Sequence, residues 1–383
     1  MTPRIYLDFN ATTPLADEVA AAMSRVLSEP YGNPSSLHWA GVPARDAIEI
    51  ARSQVAALLS CDATEVVFTS GGTEANNQVI KGLFFRDTAS RRPFHVVTSC
   101  IEHPAVLEPC SFLERLGAEV TRLPVDRYGL VDPEDVRRAM RPGTALVSIM
   151  HANNEVGTIQ PLDEIAAIAH EHGALVHTDA AQTVGKIPVD VEAMGVDFLS
   201  VAGHKLYGSK GVGALYIREG MELEPLLHGA GHEAGRRAGT ENVLEIVGLG
   251  AACELAHTWI DERHILELRD HLWHSLEASL SDQVVLHGHP TLRLPNTLNV
   301  GFRGFTGGEI LAAMPHVAAS TGSACHAGSI EISPVLAAMG VPRDSALGAV
   351  RFSLGRMTSR AEIEVVVDSI RQIALRTEVS VIN

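Results

Sequence analysis

The chain predicts an α/β protein built on a mostly parallel sheet, followed by a smaller α+β region. Two observations carry that expectation. Up to about Arg218, short apolar, β-branched runs alternate with helical patterns, each run being of strand rather than helix length. After about Asn242 the alternation stops: a long helical pattern runs to roughly Leu280, and shorter strands then intersperse with helices. With 383 residues, 46% of them hydrophobic, the chain can bury a core in each region.

The elements follow in order. RIYLDFN reads as a first strand, with a helix from about Ala16. Seven further runs read as strands: EVVFTS (65–70), HVVTSC (95–100), EVTRLPV (119–125), TALVSIM (144–150), ALVHTDAA (174–181), DFLSVA (197–202) and GALYIR (213–218). Most are apolar nearly throughout, as strands covered on both faces must be. Between them lie segments such as PLDEIAAIAHEHG, whose apolar residues recur at helical spacing and which ends in Gly173, a natural helix stop. In the second region QVVLHG, TLNVGF, VAASTG and AVRFSLG read as strands.

Charge narrows the function. Against 30 basic side chains stand 46 acidic ones, a net charge of -16, which disfavours direct binding to nucleic acid or to an anionic membrane. Cys61, Cys100, Cys110, Cys253 and Cys325 are odd in number and free of CxxC spacing, so neither a disulfide framework nor a thiolate zinc site is indicated. Four of them read as small buried hydrophobes. No apolar stretch is long enough to span a bilayer and no secretory segment precedes RIYLDFN; the cytoplasm is the expected location.

In parallel α/β sheets ligands gather at the carboxyl ends of strands, which singles out three places. EVVFTS runs into GGTEANN, where Gly72 and Thr73 open a helix whose exposed N–H groups suit a phosphate, although a capping threonine ahead of a helix is common in any case. ALVHTDAA ends on Asp179, with Gln182 just beyond; that carboxylate could pair with a protonated ring nitrogen or simply cap a turn. Lys205 follows the apolar run DFLSVA. Burial there lowers its pKa, the state a Schiff-base lysine needs, whereas Lys210 lies in a glycine-rich, solvated turn. Together the three are what pyridoxal phosphate requires. GSKGVG matches neither a Rossmann fingerprint nor a Walker loop.

A fourth segment, STGSACHAGS (320–329), surrounds Cys325 with small residues, which predicts an accessible, mobile loop where His326 can help hold a thiolate. His228 and His232 lie four apart, and His287 and His289 flank a glycine, but neither pair sits in a rigid helical setting, so no metal is expected. Arg236 and Arg237 are expected at a dimer interface or in the substrate pocket.

The chain resembles the cysteine desulfurases of the aminotransferase class V superfamily over nearly its whole length. The resemblance rests on YLDFNATTPL, GNPSSLH (32–38), FTSGGTEANN (68–77), EHPAV (102–106), HANNEVGTIQP (151–161), HTDAAQTVGK (177–186), GHKLYGSKGVGALYIR (203–218), AGTEN (238–242), GSACH (322–326) and RFSLGR (351–356). It implies the aspartate-aminotransferase-like fold, with a large cofactor domain over residues 15–255 and a small domain from 1–14 and 256–383 carrying the cysteine loop. Lys205 would hold pyridoxal phosphate covalently. Asp179 would bind the pyridinium nitrogen, His103 would stack on the ring, and Gln182 would reach the phenolic oxygen. Gly72, Thr73 and His204 would hold the phosphate, with Thr240 supplied by the second subunit of a homodimer. Asn154 and Arg351 would fix the substrate carboxylate, the arginine through a bidentate fork. Cys325 would take the sulfur of L-cysteine as a persulfide, leave L-alanine, and pass the sulfur to an acceptor protein such as an iron–sulfur scaffold or a sulfur carrier.

Two departures qualify this. Relatives commonly carry serine where this chain has Ala202, which removes one phosphate hydroxyl. AGSIEIS after the Cys–His pair departs from the usual continuation, and several motifs are also similar to those of selenocysteine lyases, which makes release of selenide from L-selenocysteine the alternative reading. An aminotransferase would have no task for the cysteine loop. A non-catalytic scaffold would have none for the lysine–aspartate set.

Overall fold

The computed structural model describes residues 4–87, 94–260, 263–321, 325–326 and 329–381. In chain order β1 (Ile5–Tyr6), α1 (Asp17–Val26) and α2 (Val42–Leu59) come first. Seven strands then form one sheet: β2 (Val66–Thr69), β3 (His95–Ser99), β4 (Glu119–Leu123), β5 (Thr144–Ser148), β6 (Leu175–Asp179), β7 (Phe198–Ala202) and β8 (Gly213–Ile217). Their spatial order is β2-β8-β7-β6-β5-β3-β4, all parallel except β8, which runs antiparallel to both neighbours. Each predicted strand is found, shortened by a residue or two at its ends.

Period two decides which face each strand residue covers. Val66, Phe68, Val97, Val147, Leu199, Val201 and Tyr216 join the core on one face, under α1, α2 and α7 (Val243–Ala256). Their neighbours Val67, Val96, Leu146, Phe198 and Leu215 join the core on the other. There α3 (Gly72–Asp87) and α4 (Pro104–Glu114) pack together. Two further helices, α5 (Pro133–Ala139) and α6 (Leu162–Glu171), link the later strands.

The helical pattern expected to run unbroken to Leu280 is instead two helices, α7 and α8 (His264–Leu280). A single straight helix over 242–280 would reach about 58 Å and could not serve two cores. Here α7 packs on the sheet layer, whereas Leu268, Leu272 and Leu276 of α8 join a separate core with α12 (Arg360–Val381). Trp259 anchors the break: its indole N–H donates to the Gly185 carbonyl at 2.9 Å, and the Arg356 guanidinium lies 3.9 Å from its ring centroid.

The second core backs an antiparallel sheet in the order β12-β15-β10-β9, from β9 (Val284–His287), β10 (Thr297–Phe302), β12 (Ser320–Thr321) and β15 (Ala349–Ser353). β11 (Val317–Ala318) pairs in parallel with β1, so VAASTG divides between two sheets rather than forming one strand. The segment expected as a loop contains a short ladder, β13 (Cys325–His326) against β14 (Ser329–Ile330). Helices α9 (Gly307–Ala313), α10 (Pro334–Ala338) and α11 (Arg343–Leu347) complete the fold. Among the described residues no helix is long and apolar enough to cross a membrane.

Candidate active site

The carboxyl ends of β2, β3, β5, β6 and β7 open on one cavity of about 390 Å³, which Arg351 of β15 also lines. Its walls include Gly72, Thr73, His103, Asn154, Asp179, Gln182, His204 and Lys205, residues far apart in sequence that the parallel sheet collects at one edge.

After β2 the chain turns through Gly71, at a φ of 146° that side chains rarely adopt, into the first turn of α3. The turn lies close over β8. A Cβ at Gly213 would stand 2.7 Å from the Gly71 Cα, so only glycine can start that strand. Gly72 and Thr73, in the first turn of α3 where N–H groups have no partner within the helix, line the cavity. Ala202 borders the same place: its Cβ lies 3.4 Å from where a Cβ at Gly72 would be, so this wall carries a methyl and no hydroxyl.

At the end of β3, His103 caps α4, its Nδ1 accepting from the Ala105 N–H at 3.1 Å. Burial holds the imidazole below its ordinary pKa, so the ring is neutral at pH 7 with its proton on Nε2. Beneath it Glu102 is buried and accepts from the Ser99 hydroxyl at 2.6 Å and the Met150 N–H at 2.9 Å. Burial pushes that carboxyl up to about 8, so it is largely protonated and adds little charge below the site.

Asp179 ends β6 with both oxygens occupied. One accepts from the Ala181 N–H at 3.0 Å, the other from the Asn76 amide at 2.7 Å. The Asn76 oxygen is itself buried without a partner.

From β7 a single tight turn carries His204 and Lys205. Segment 10–13 closes over them: Lys205 Nζ donates to the carbonyls of Asn10 at 2.5 Å and Ala11 at 2.8 Å, and His204 Nδ1 lies 3.1 Å from the Thr12 hydroxyl. Burial, helped by the Arg351 charge, pulls the Lys205 amine down to about 8 against the opposing pull of Asp179 and Asp8. His204 falls to about 4, chiefly through burial and then through Lys205. Lys210 is exposed.

Arg351 reaches in from the second sheet. It donates to Asp8 at 2.7 Å and to the Asn154 carbonyl at 3.0 Å, while its Nε–H is buried without an acceptor. Each terminal nitrogen therefore keeps one N–H for an incoming anion.

Thr240 does not line this cavity; it borders a separate depression with Ser70 and Arg237. The loop before it holds Glu233 and Ala234 in left-handed conformations, with φ of 48° and 55°. Glu233 is fastened there by Arg52, at 2.7 and 2.8 Å, and by the Phe68 N–H at 2.8 Å. Nor does the structure place Arg236 or Arg237 in the substrate cavity. Arg237 pairs with Glu74 at 2.9 Å, and Arg236 donates to the Thr64 carbonyl at 2.8 Å. The His287 ring lies between Asn299, at 2.8 Å, and Ser345, at 2.9 Å.

The side chains of Cys325 and His326 lie outside the described residues. Of the other cysteines, Cys110 and Cys253 are buried while Cys61 and Cys100 are only partly so. Burial pushes the thiols of Cys61, Cys110 and Cys253 up to about 12 and raises that of Cys100, so none is a thiolate at neutral pH. Sequence reasoning missed Asp8, Asn10, Asn76, Glu102 and Lys186. Each lies within a stretch that carries the resemblance, but its partners are distant in sequence.

The model of the Aminotransferase class-V family matches residues 5–366. The chain belongs to the class-V aminotransferase family. Among its relatives is the cysteine desulfurase IscS of Dictyoglomus turgidum, 49% identical over 97% of this chain and 95% of that protein. A solved NifS-like protein superposes with a TM-score of 0.90 at 39% identity, covering 97% of this chain and 99% of the other. Another solved structure, SspA in complex with cysteine, gives a TM-score of 0.80 at 38% identity over 91% of this chain and 98% of its own. The fold is thus that of NifS-like cysteine desulfurases.

Proposed function

We propose that this protein is a pyridoxal phosphate-dependent cysteine desulfurase, converting L-cysteine to L-alanine and passing the sulfur through a Cys325 persulfide to an acceptor. The observation that carries this reading is the meeting of Lys205, Asp179 and His103 in one cavity with the open first turn of α3.

The residues present fit pyridoxal phosphate. Free N–H groups and the Thr73 hydroxyl suit its phosphate, the doubly held Asp179 carboxylate suits its ring nitrogen, and the neutral His103 ring suits stacking. The buried, unpartnered Arg351 Nε–H marks a place for an anion. When bound, the cofactor supplies an aldehyde for amine exchange and a protonated ring that draws electrons from the substrate Cα. The rest is work for the chain. Arg351 and Asn154 hold the substrate carboxylate and so orient the Cα proton. The Lys205 amine would take that proton as a base and return it. The Cys325 thiolate bonds to the substrate sulfur, the C–S electron pair stays with carbon, and protonation gives alanine.

Two further parts of the reading follow. A second copy supplies Thr240, supported by the exposed apolar residues Leu27, Tyr31, Leu37 and Trp39, which a partner would cover. In a Lys205→Ala and Thr240→Ala mixture, hybrid dimers keep one intact site, so activity is expected to exceed that of either variant alone; no gain on mixing removes the shared site. The acceptor is a protein such as an iron–sulfur scaffold or a sulfur carrier.

The test of the sulfur step is Cys325→Ser. It is expected to lose at least about 100-fold in alanine formation from L-cysteine, the scale of a lost nucleophile, while keeping its bound cofactor. Turnover of L-selenocysteine, whose weaker carbon–selenium bond needs less help, is expected to persist. Equal loss on both substrates, or unchanged turnover of cysteine, contradicts the role given to Cys325.

A further inference from the structure

Lys186 is a lysine the mechanism above does not use. It follows the tight turn after Asp179, where Gly185, at a φ of 77°, lets the chain double back. Its amine points inward. Nζ donates to the Gln182 side-chain oxygen at 2.7 Å and to the Asn10 side-chain oxygen at 3.0 Å, and both of those residues are buried. Behind it lies a small cavity walled by Phe9, Tyr207 and Trp259, which Lys186 shares with Lys205. Burial drives the Lys186 pKa well below its ordinary value, and the charges that reach it, Lys205 and Arg351, push the same way. A neutral amine has two N–H groups for its two acceptors.

The bonds around it settle which end of each carboxamide faces which way. Backbone carbonyls only accept, so a group facing one must be the amide nitrogen. The Gln182 nitrogen faces the Asn10 carbonyl at 3.0 Å, which turns the Gln182 oxygen to Lys186. The Asn10 side-chain nitrogen faces the Asn154 carbonyl at 3.2 Å, which likewise turns its oxygen to Lys186, where Asn296 also donates at 3.0 Å. The Asn10 carbonyl that takes the Gln182 amide also holds Lys205 Nζ at 2.5 Å. Without Lys186, the Gln182 oxygen is buried with no donor, and only the bond to the Asn10 carbonyl then holds the amide. So held, the side chain can swing to seek a donor for its oxygen, which carries its NH2 group off the Asn10 carbonyl.

We propose that Lys186 is a positioning residue for the Lys205 chemistry: by donating to Gln182 and Asn10 it locks the Gln182 carboxamide with its NH2 group toward the Asn10 carbonyl and the cavity. The inference rests on the reading that Gln182 donates to the phenolic oxygen of bound pyridoxal phosphate. Such a donor favours the deprotonated oxygen, so its loss raises the pH midpoint of the bound cofactor's visible absorbance.

Lys186→Met keeps the length and removes the donors. It is expected to raise that midpoint by about one pH unit and to weaken cofactor binding in equilibrium dialysis by roughly tenfold. Gln182→Met is expected to do the same, and the double variant no more than Gln182→Met alone, since a residue acting through Gln182 has nothing left to position. Additive shifts overturn the proposal. An unmoved midpoint in Gln182→Met overturns the phenolic-oxygen reading instead. The lock is then judged in the cofactor-free protein, where the Gln182 NH2 protons should exchange with solvent at least about ten times faster in Lys186→Met than in wild type. Equal exchange rates overturn it. Should the methionine variant not fold, Lys186→Leu, which also has no donor, is expected to show the same raised midpoint; a wild-type midpoint with native circular dichroism overturns the lock.

Discussion

Lys205→Ala is expected to lose at least about 10,000-fold in alanine formation, because one amine carries both covalent attachment of the cofactor and transfer of the Cα proton. Positioned proton transfer alone accounts for about 100- to 10,000-fold, and loss of the covalent link adds to it. The environment prepares the amine for both tasks. With its pKa drawn down to about 8, roughly a tenth of Lys205 is neutral at pH 7, against about three in ten thousand for an unperturbed lysine. Because the neutral amine is the reactive form, loading of cofactor-free protein with pyridoxal phosphate is expected to accelerate about tenfold per pH unit up to about pH 8 and then level off. Stopped-flow absorbance across pH 6 to 10 reads this out. A plateau delayed to about pH 10.5 would show that burial does not activate the lysine, and a Lys205→Ala protein retaining a few per cent of activity would place the chemistry elsewhere.

Asp179→Asn is the second large effect, and it isolates charge from shape. The Ala181 N–H, at 3.0 Å, requires an oxygen, so the new amide nitrogen takes the place now facing Asn76 at 2.7 Å. Asn76 can turn over to meet it, since its own oxygen is otherwise unpartnered. The fold is therefore preserved, and what disappears is the negative charge opposite the ring nitrogen. Breaking one side of a buried ion pair costs about 3–5 kcal/mol, which corresponds to about 100- to 5,000-fold in rate. Asn76→Ala leaves the Ala181 bond in place and is expected to cost only about tenfold. Near-wild-type turnover in Asp179→Asn, with the cofactor bound, would remove Asp179 from the mechanism.

The strands were legible because their information is local. A run such as FLSVA is apolar but for Ser200, and a strand covered on both faces needs little more. For the same reason Asp179 and Lys205 could be picked out as polar residues just beyond strand ends. The break between α7 and α8 could not, because apolar spacing is equally helical on both sides and the interruption is set by Trp259 meeting Gly185 and Arg356. The ladder of Cys325–His326 with Ser329–Ile330 was hidden likewise, in a stretch whose small residues read as an open loop.

The sequence by itself determined the seven-stranded layer, the helix start, aspartate and lysine that follow its strand ends, and through its motifs the family and the histidine it implies. Only the tertiary structure decided how those groups are held. Asn10 meets Lys186 and Lys205, Asn76 meets Asp179, and Asp8 meets Arg351, and each pair comes from segments far apart in the chain. Periodicity records which face a residue covers. It carries no record of which distant donor will find which acceptor once the layers close, and here those pairings set the charge on the lysine and the aim of the amides around it.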